Sequence, residues 1–360
     1  MGEVLASYPF TKLLLETFPK SNVLYTVVTE TGIARVRELF NGKVSVIRFP
    51  FDSYRHLTRI HRVFRPDAVF IIETEIWPNL LLSAYERNVP LFLLNARISR
   101  NTVSRFRLIK RLSRFLLNTF TVIFARSAHD AKMFVEAGAD PSRIIVTGSL
   151  KYDTISRPLK GITRQELGFS ENDFIITFGS VRSREFADVV EAIKIIVDSV
   201  DAGIVVAPRH LKNVPVLKNM LVSEGLKVAL RSRKEPADGK ILLLDTIGEL
   251  WDVYHLSNLA FVGGSLADYG GHNVLEPAYA GIPVIFGPHI WNIRDYAYPM
   301  MEAGVAFRVF DGKELGQLAV SFARDPEKAA RIGRKAREFV KQRAGVSKRI
   351  LERVRRYIRV

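Results

Sequence analysis

Thirteen short runs rich in Val, Ile, Leu and Phe alternate with stretches of helical spacing along the chain, a pattern that leaves little besides parallel sheets wrapped by helices. The runs are 23–28, 44–48, 68–72, 91–94, 122–125 and 144–146, then 174–178, 204–207, 227–230, 241–244, 259–262, 284–286 and 305–310. Between the two sets lies 156–172, polar and bearing Gly and Pro, which reads as a linker. The fold class is therefore α/β: two Rossmann-like, doubly wound domains over 1–155 and 173–344, facing across a cleft. At 360 residues the chain suits two such cores. Leu5, Tyr8, Leu13, Leu14 and Phe18 give the opening stretch, 4–18, helical spacing, with Glu3 at its start. In sheets of this kind ligands lie beyond the carboxyl ends of the strands, so residues just after strands are where function is sought.

Lys and Arg number 53 against 37 Asp and Glu, and a net charge of +16 concentrates anions near the surface. No RNP-like, zinc-finger or helix-turn-helix pattern accompanies that charge, which argues against nucleic acid as the partner. Anionic lipid would serve the charge equally well. Arg97, Arg100, Arg105, Arg107, Lys110, Arg111 and Arg114 interleave with Phe106, Leu108, Ile109, Leu112, Phe115 and Leu116. They suggest a basic amphipathic helix lying on phospholipid, or an ordinary packed helix with a solvated basic face. The chain has no cysteine, which removes disulfides, thiolate nucleophiles and Cys-ligated metals together. No apolar run reaches membrane-spanning length and no signal peptide is visible.

The stretch 261–288 gathers the densest signals. A buried strand breaks at Gly263 and Gly264, Gly270 and Gly271 permit close backbone approach, and Asn273 with Glu276 has capping-box spacing before a helix. Strand, glycine loop and helix start together can hold a phosphate, although Asn273 and Glu276 also suit a plain cap. The spacing is not GxGxxG, so a dinucleotide fingerprint is the wrong comparison. Other strand ends carry Glu73 and Glu75 beside Trp77-Pro78, two carboxylates that would share a face if the strand ran on through them, one of them suited instead to capping the helix after Pro78. Further candidates are Lys151, Pro208-Arg209-His210, and Thr246 with Glu249, a second possible capping pair.

Gly263-Gly264-Ser265-Leu266, Gly270-Gly271-His272-Asn273, Leu275-Glu276-Pro277 and Gly287-Pro288-His289 together resemble the donor-site signature of the bacterial 3-deoxy-D-manno-octulosonic acid (Kdo) transferases, of the glycosyltransferase-B (GT-B) superfamily. The resemblance covers essentially the whole chain. It implies transfer of Kdo from CMP-Kdo to a lipid A precursor, inverting, with no metal and no cofactor beyond the donor. Gly2-Glu3 matches the end of a Ser-Val-Gly-Glu motif whose Glu is the general base, and Glu73 opens a Glu-x-Glu-x-Trp-Pro motif whose first Glu is a catalytic stabiliser. Lys151 lies in a Gly-Ser-Leu-Lys motif and would face the donor carboxylate or phosphate. Pro208, Arg209, Ile247, Gly248, Glu249, Asn273, Val274, Leu275 and Glu276 fall on the nucleotide-binding positions, with Ser180, His210, Ser265, Gly270, Gly271 and His272 as further candidates. One loop departs: Ser180-Val181-Arg182-Ser183-Arg184-Glu185 stands where the family usually has Ser-Thr-His-x-Gly-Glu.

Family members carry a strand before the Glu3 motif and usually a membrane anchor before that. The expectation is a truncated chain, with a valine codon read as the start and written Met1, a first domain lacking one central strand, and impaired folding of that domain. GT-B architecture further implies a C-terminal helix, 345–360, packed back on the first domain. The expected location is the cytoplasmic face of the inner membrane, peripheral in this form. Two rivals remain: another GT-B nucleotide-sugar transferase or epimerase, and a non-catalytic protein binding anionic lipid or RNA. The number of Kdo residues added and the oligomeric state have no sequence signal.

Overall fold

The computed structural model describes residues 2–155, 158–233 and 241–358. Met1, the first two residues of the expected linker (156 and 157) and the last two of the expected C-terminal helix lie outside the described residues. Two compact units form, one from Met1–Ser156 with Arg343–Val360 and one from Arg157–Gln342.

Each of the thirteen runs read as strands carries one. In the first unit these are β1 (Leu24–Val27), β2 (Ser45–Arg48), β3 (Val69–Ile72), β4 (Leu91–Ala96), β5 (Val122–Ala125) and β6 (Ile144–Val146), all paired in parallel. They make two sheets, β1-β2 and β3-β4-β5-β6, so β1 and β3 each have a hydrogen-bonded strand on one side only. Strands β4 and β5 are buried throughout, which is why they read as unbroken apolar runs rather than alternating ones. The opening helix, Gly2–Thr17, joins the two sheets. Its Phe10 and Leu14 pack on Phe92, Leu94 and Phe124, and its Val4 packs with Val36 and Phe40 beside β1 and β2. The final helix, Val346–Val354, adds Val346, Ile350, Leu351 and Val354 to the same cluster as Phe10. Its start is fixed by the Asp153 carboxylate, which accepts the N–H groups of Gly345, Val346 and Ser347 at 2.7, 3.2 and 2.6 Å.

The second unit holds β7 (Ile175–Val181), β8 (Gly203–Pro208), β9 (Ala229–Leu230), β10 (Ile241–Leu243), β11 (Leu259–Val262), β12 (Val284–Phe286) and β13 (Ala306–Arg308). Their order, β13-β12-β11-β7-β8-β10-β9, is doubly wound, and the winding reverses between β7 and β11. That reversal opens a crevice at the carboxyl ends of these central strands. The stretch expected as a linker is partly core: Leu167 and Phe169 are buried with Ile175, Val205 and Leu242.

The basic stretch near residue 100 is two helices, Arg100–Leu108 and Lys110–Asn118, broken at Ile109, rather than one. Val103, Leu116 and Leu117 face the core, while Leu108 (87% exposed), Ile109, Leu112 and Phe115 stand out among the arginines. Among the described residues no helix is long and apolar enough to cross a membrane.

Candidate active site

In the first unit three carboxylates converge. Glu3 sits in the first turn of the opening helix, where partial burial raises its carboxyl above the ordinary range and the negative charges of Glu75 and Glu73 raise it further. Glu73 ends β3 abruptly: its φ is +63°, and its N–H donates to Leu94 O at 2.8 Å. A non-glycine residue held there stores roughly 1–3 kcal/mol of backbone strain. The strand therefore does not run on through Glu73 and Glu75. Neither carboxylate caps the helix Pro78–Tyr85, because Asp52 already accepts the N–H groups of Asn79 and Leu80, both at 3.0 Å.

Lys151 lies in a short 3-10 turn, Leu150–Thr154, that follows β6. The turn is set by Asn95, fully buried in β4 with φ +54°, whose Oδ1 accepts from the Ser149 hydroxyl and the Leu150 N–H, both at 3.2 Å. Nothing in the sequence distinguishes Asn95 from any polar residue at a strand end. Its role comes from contacts more than fifty residues away.

In the second unit the crevice between β7 and β11 is built on Glu185, which the sequence showed only as a retained position of the family loop, with no role of its own. Glu185 is fully buried, and its oxygens accept the N–H groups of Gly264, Ser265 and Leu266 at 2.7, 2.8 and 2.8 Å and that of Arg182 at 2.9 Å. The N–H groups after β11 that read as a phosphate cradle are thus already occupied by an internal anion. Glycine is required at Gly179 and Gly263 because backbones and rings crowd there: a Cβ on Gly179 would fall 1.9 Å from Tyr254 Oη, and one on Gly263 would fall 2.7 Å from Val181 Cα. Ser180 bulges out of β7 at φ +58°.

Ser265 turns inward, its hydroxyl donating to Val262 O at 2.6 Å and accepting from Gly287 N–H at 2.8 Å. Gly270 and Gly271, at φ +86° and +82°, admit Trp291, Asn292 and Ile293 at close quarters rather than leaving open space. The capping box expected of Asn273 and Glu276 takes another form. Asn273 Oδ1 accepts the Leu275 N–H at 3.1 Å in an Asx-type turn, and its Nδ2 donates to Glu276 Oε1 at 3.2 Å. The side chains of Val274 and Leu275 are buried, so they present only backbone.

Outside this frame lies a cationic cluster. Arg209 and His210 follow β8 directly and are exposed, and Arg182 Nη1 lies 3.0 Å from His210 Nε2. His272 packs against Gly264 with its Nε2 buried and without a hydrogen-bond partner. Burial, then the charges of Arg209, Arg182 and His210, push its pKa down to about 4, so the ring is neutral near pH 7. Further round the sheet, Glu249 accepts from Arg231 Nη2 at 3.1 Å and from the Thr246 hydroxyl, an arrangement that is not a capping box. Burial opposes its charge, but Arg231 and Thr246 hold the carboxyl below the ordinary range. Ile247 (82% exposed) and Gly248, at φ +83°, form the projecting tip of that loop.

Residues 1–154 match a family described as 3-deoxy-D-manno-octulosonic-acid transferase (kdotransferase). A 3-deoxy-D-manno-octulosonic acid transferase of Haemophilus influenzae is 28% identical over 364 residues, covering 99% of this chain and 85% of the relative. The Bordetella pertussis protein of the same name is 30% identical over 365 residues, covering 98% and 84%. The chain belongs to the Kdo transferase family. It is accordingly a glycosyltransferase. UDP-GlcNAc 2-epimerase from Neisseria meningitidis, at 15% identity, superposes with a TM-score of 0.68 over 99% of this chain and 97% of that one, a likeness that shows the two-domain fold alone.

Proposed function

We propose that this Kdo transferase moves Kdo from CMP-Kdo to the hydroxyl of a lipid A precursor, with inversion and without a metal, at an anionic membrane surface. The observation that carries the reading is the cluster of Arg182, Arg209 and His210 beside the reversal of the second unit's sheet, in a chain belonging to this family. The donor's leaving group is a nucleoside monophosphate, and fixed guanidinium donors stabilise the charge it gains as the glycosidic bond breaks. Arg209 supplies that contact, with Pro208 and His210 setting its position. Asn273, Val274, Leu275 and Glu276 hold the nucleotide from one side of the crevice, and the Ile247-Gly248-Glu249 loop offers backbone to the base. Ser180, Ser265, Gly270, Gly271 and His272 shape the walls.

In the first unit Glu3 acts as general base on the acceptor hydroxyl. A carboxyl raised by crowding and by Glu75 and Glu73 is a better proton acceptor than a free one. The strained backbone of Glu73 aims its carboxylate at the positive charge that develops on the sugar, and Lys151 offers a positive charge to the donor anion. The apolar and basic outer face formed by Leu108, Ile109, Leu112, Phe115 and their arginines supports peripheral attachment to anionic phospholipid.

The test is CMP release from CMP-Kdo with and without lipid A precursor. Release that depends on the acceptor supports the reading. Binding of CMP with no acceptor-dependent release, or release from UDP-sugars instead, rejects it in favour of the rival nucleotide-sugar enzymes.

A further inference from the structure

Arg182 is one of two arginines, with Arg184, at which this chain departs from the loop of the family it resembles, and its surroundings give it a use. Val181 and Pro208 are register partners on adjacent parallel strands, and the Arg209 N–H donates to Val181 O at 2.8 Å. Residues 182 and 209 therefore leave the sheet side by side, about 5 Å apart in backbone. The Arg182 guanidinium carbon lies over the Tyr269 ring, 4.2 Å from its centroid, with Nη1 3.0 Å from His210 Nε2. Arg184 approaches the same ring at 5.7 Å.

Among the described residues no carboxylate neutralises this group. Glu185, directly beneath, spends its oxygens on four backbone N–H groups, and Asp268, beside Tyr269, lies 3.7 Å from His289. Among the described residues neither Arg182, Arg184 nor Arg209 forms an ion pair with an acidic side chain. Two cationic side chains carried on neighbouring strand ends without a counter-ion repel, and a ligand with two neighbouring anionic groups relieves that repulsion.

We propose that Arg182, held by Tyr269 and His210, binds the carboxylate of the sugar donor while Arg209 binds its phosphate. The proposal rests on the reading of the substrate as CMP-Kdo, in which one carbon carries both the carboxylate and the phosphate oxygen. The two anions are thus as close together as the two strand ends. A guanidinium pre-set on an aromatic face loses little freedom when it takes a carboxylate in bidentate fashion, so Arg182 distinguishes donors with a carboxylate from nucleotides without one.

The experiment measures the affinity of CMP by calorimetry and the KM for CMP-Kdo in acceptor-dependent turnover, with melting temperature as the check on folding. Arg182→Ala is expected to raise the KM for CMP-Kdo about ten- to hundredfold and to leave CMP affinity within about twofold. Arg209→Ala weakens both ligands. Arg182→Gln, which keeps part of the stem and a hydrogen-bond donor without the charge, behaves like Ala if the carboxylate is the target, and stands in for it should Ala fail to fold. An unchanged KM in a folded Arg182 variant overturns the proposal, as does an equal loss for CMP and CMP-Kdo, which would make Arg182 a second phosphate ligand. A wild-type protein that neither binds CMP nor consumes CMP-Kdo overturns the substrate reading itself, and the proposal with it.

Discussion

Glu185 accepts the N–H of Gly264 at 2.7 Å across seventy-nine positions of sequence, tying the turn after β7 to the turn after β11. This carboxylate plays the part an anionic ligand would otherwise play for the turn and leaves the arginines around it uncompensated. Glu185→Gln turns an amide NH2 toward backbone donors, and each donor left without an acceptor costs roughly 1–3 kcal/mol. Urea denaturation should show a loss of that size or more, with no gain in CMP affinity. Unaltered stability would mean the turn does not depend on the carboxylate.

Arg209→Ala should weaken CMP binding by about 1.5–3 kcal/mol, the usual worth of a hydrogen bond to a charged group. Calorimetry on a variant whose melting temperature is unchanged reads this directly. Equal affinity for CMP would move the phosphate elsewhere.

Gly179→Ala places a methyl 1.9 Å from Tyr254 Oη at a position whose backbone is not left-handed, so the clash alone decides the outcome. A destabilisation of about 1–3 kcal/mol is expected from overpacking. Tyr254→Phe removes the oxygen and should recover part of it, so the double variant is more stable than the two single losses predict. Strict additivity would place the ring elsewhere.

Depression of the His272 pKa to about 4 from 6.5 fixes a sign for acid stability. Between those values the unfolded chain binds more protons than the folded one, so stability is complete above about pH 6.5 and falls as pH drops toward 4. His272→Asn should flatten that part of the pH–stability curve. An equally steep curve would assign the slope to other groups.

The alternation of strands and helices was legible because parallel strands, buried on both faces, leave apolar runs bounded by polar turns, and β4 and β11 show this plainly. Strand ends such as Arg209 and Glu73 were legible for the same reason. What escaped notice was the identity of long-range partners. Glu185 keeps its place in the family loop, but with Arg182 rather than a Ser, Thr, Asp or Asn three residues before it, its spacing does not mark it as a turn-holding carboxylate. Asn95 likewise earns its position only through Ser149 and Leu150. The Asn273 and Glu276 pair had the spacing of a capping box, yet the helix starts one residue later and Asn273 closes an Asx-type turn instead. The basic stretch read as one helix because its charge pattern runs unbroken through Ile109, where the backbone turns to φ −113° and ψ 43°.

Glu3→Gln should lower acceptor-dependent turnover roughly 10²–10⁴-fold while leaving CMP-Kdo affinity and melting temperature nearly unchanged. A helix-start carboxylate serving only the dipole would instead cost about 0.3–1 kcal/mol of stability and no chemistry. Full turnover in Glu3→Gln would pass the role of base to Glu73, its neighbour in the same cluster.

The most direct measurement is mass spectrometry of a purified lipid A precursor after incubation with the protein and CMP-Kdo, alongside quantification of free CMP. A lipid heavier by one or more Kdo units is expected, with one CMP released for each unit added and both products reduced when Arg209 is replaced by Ala. Unmodified lipid in the presence of folded, CMP-binding protein would contradict this reading.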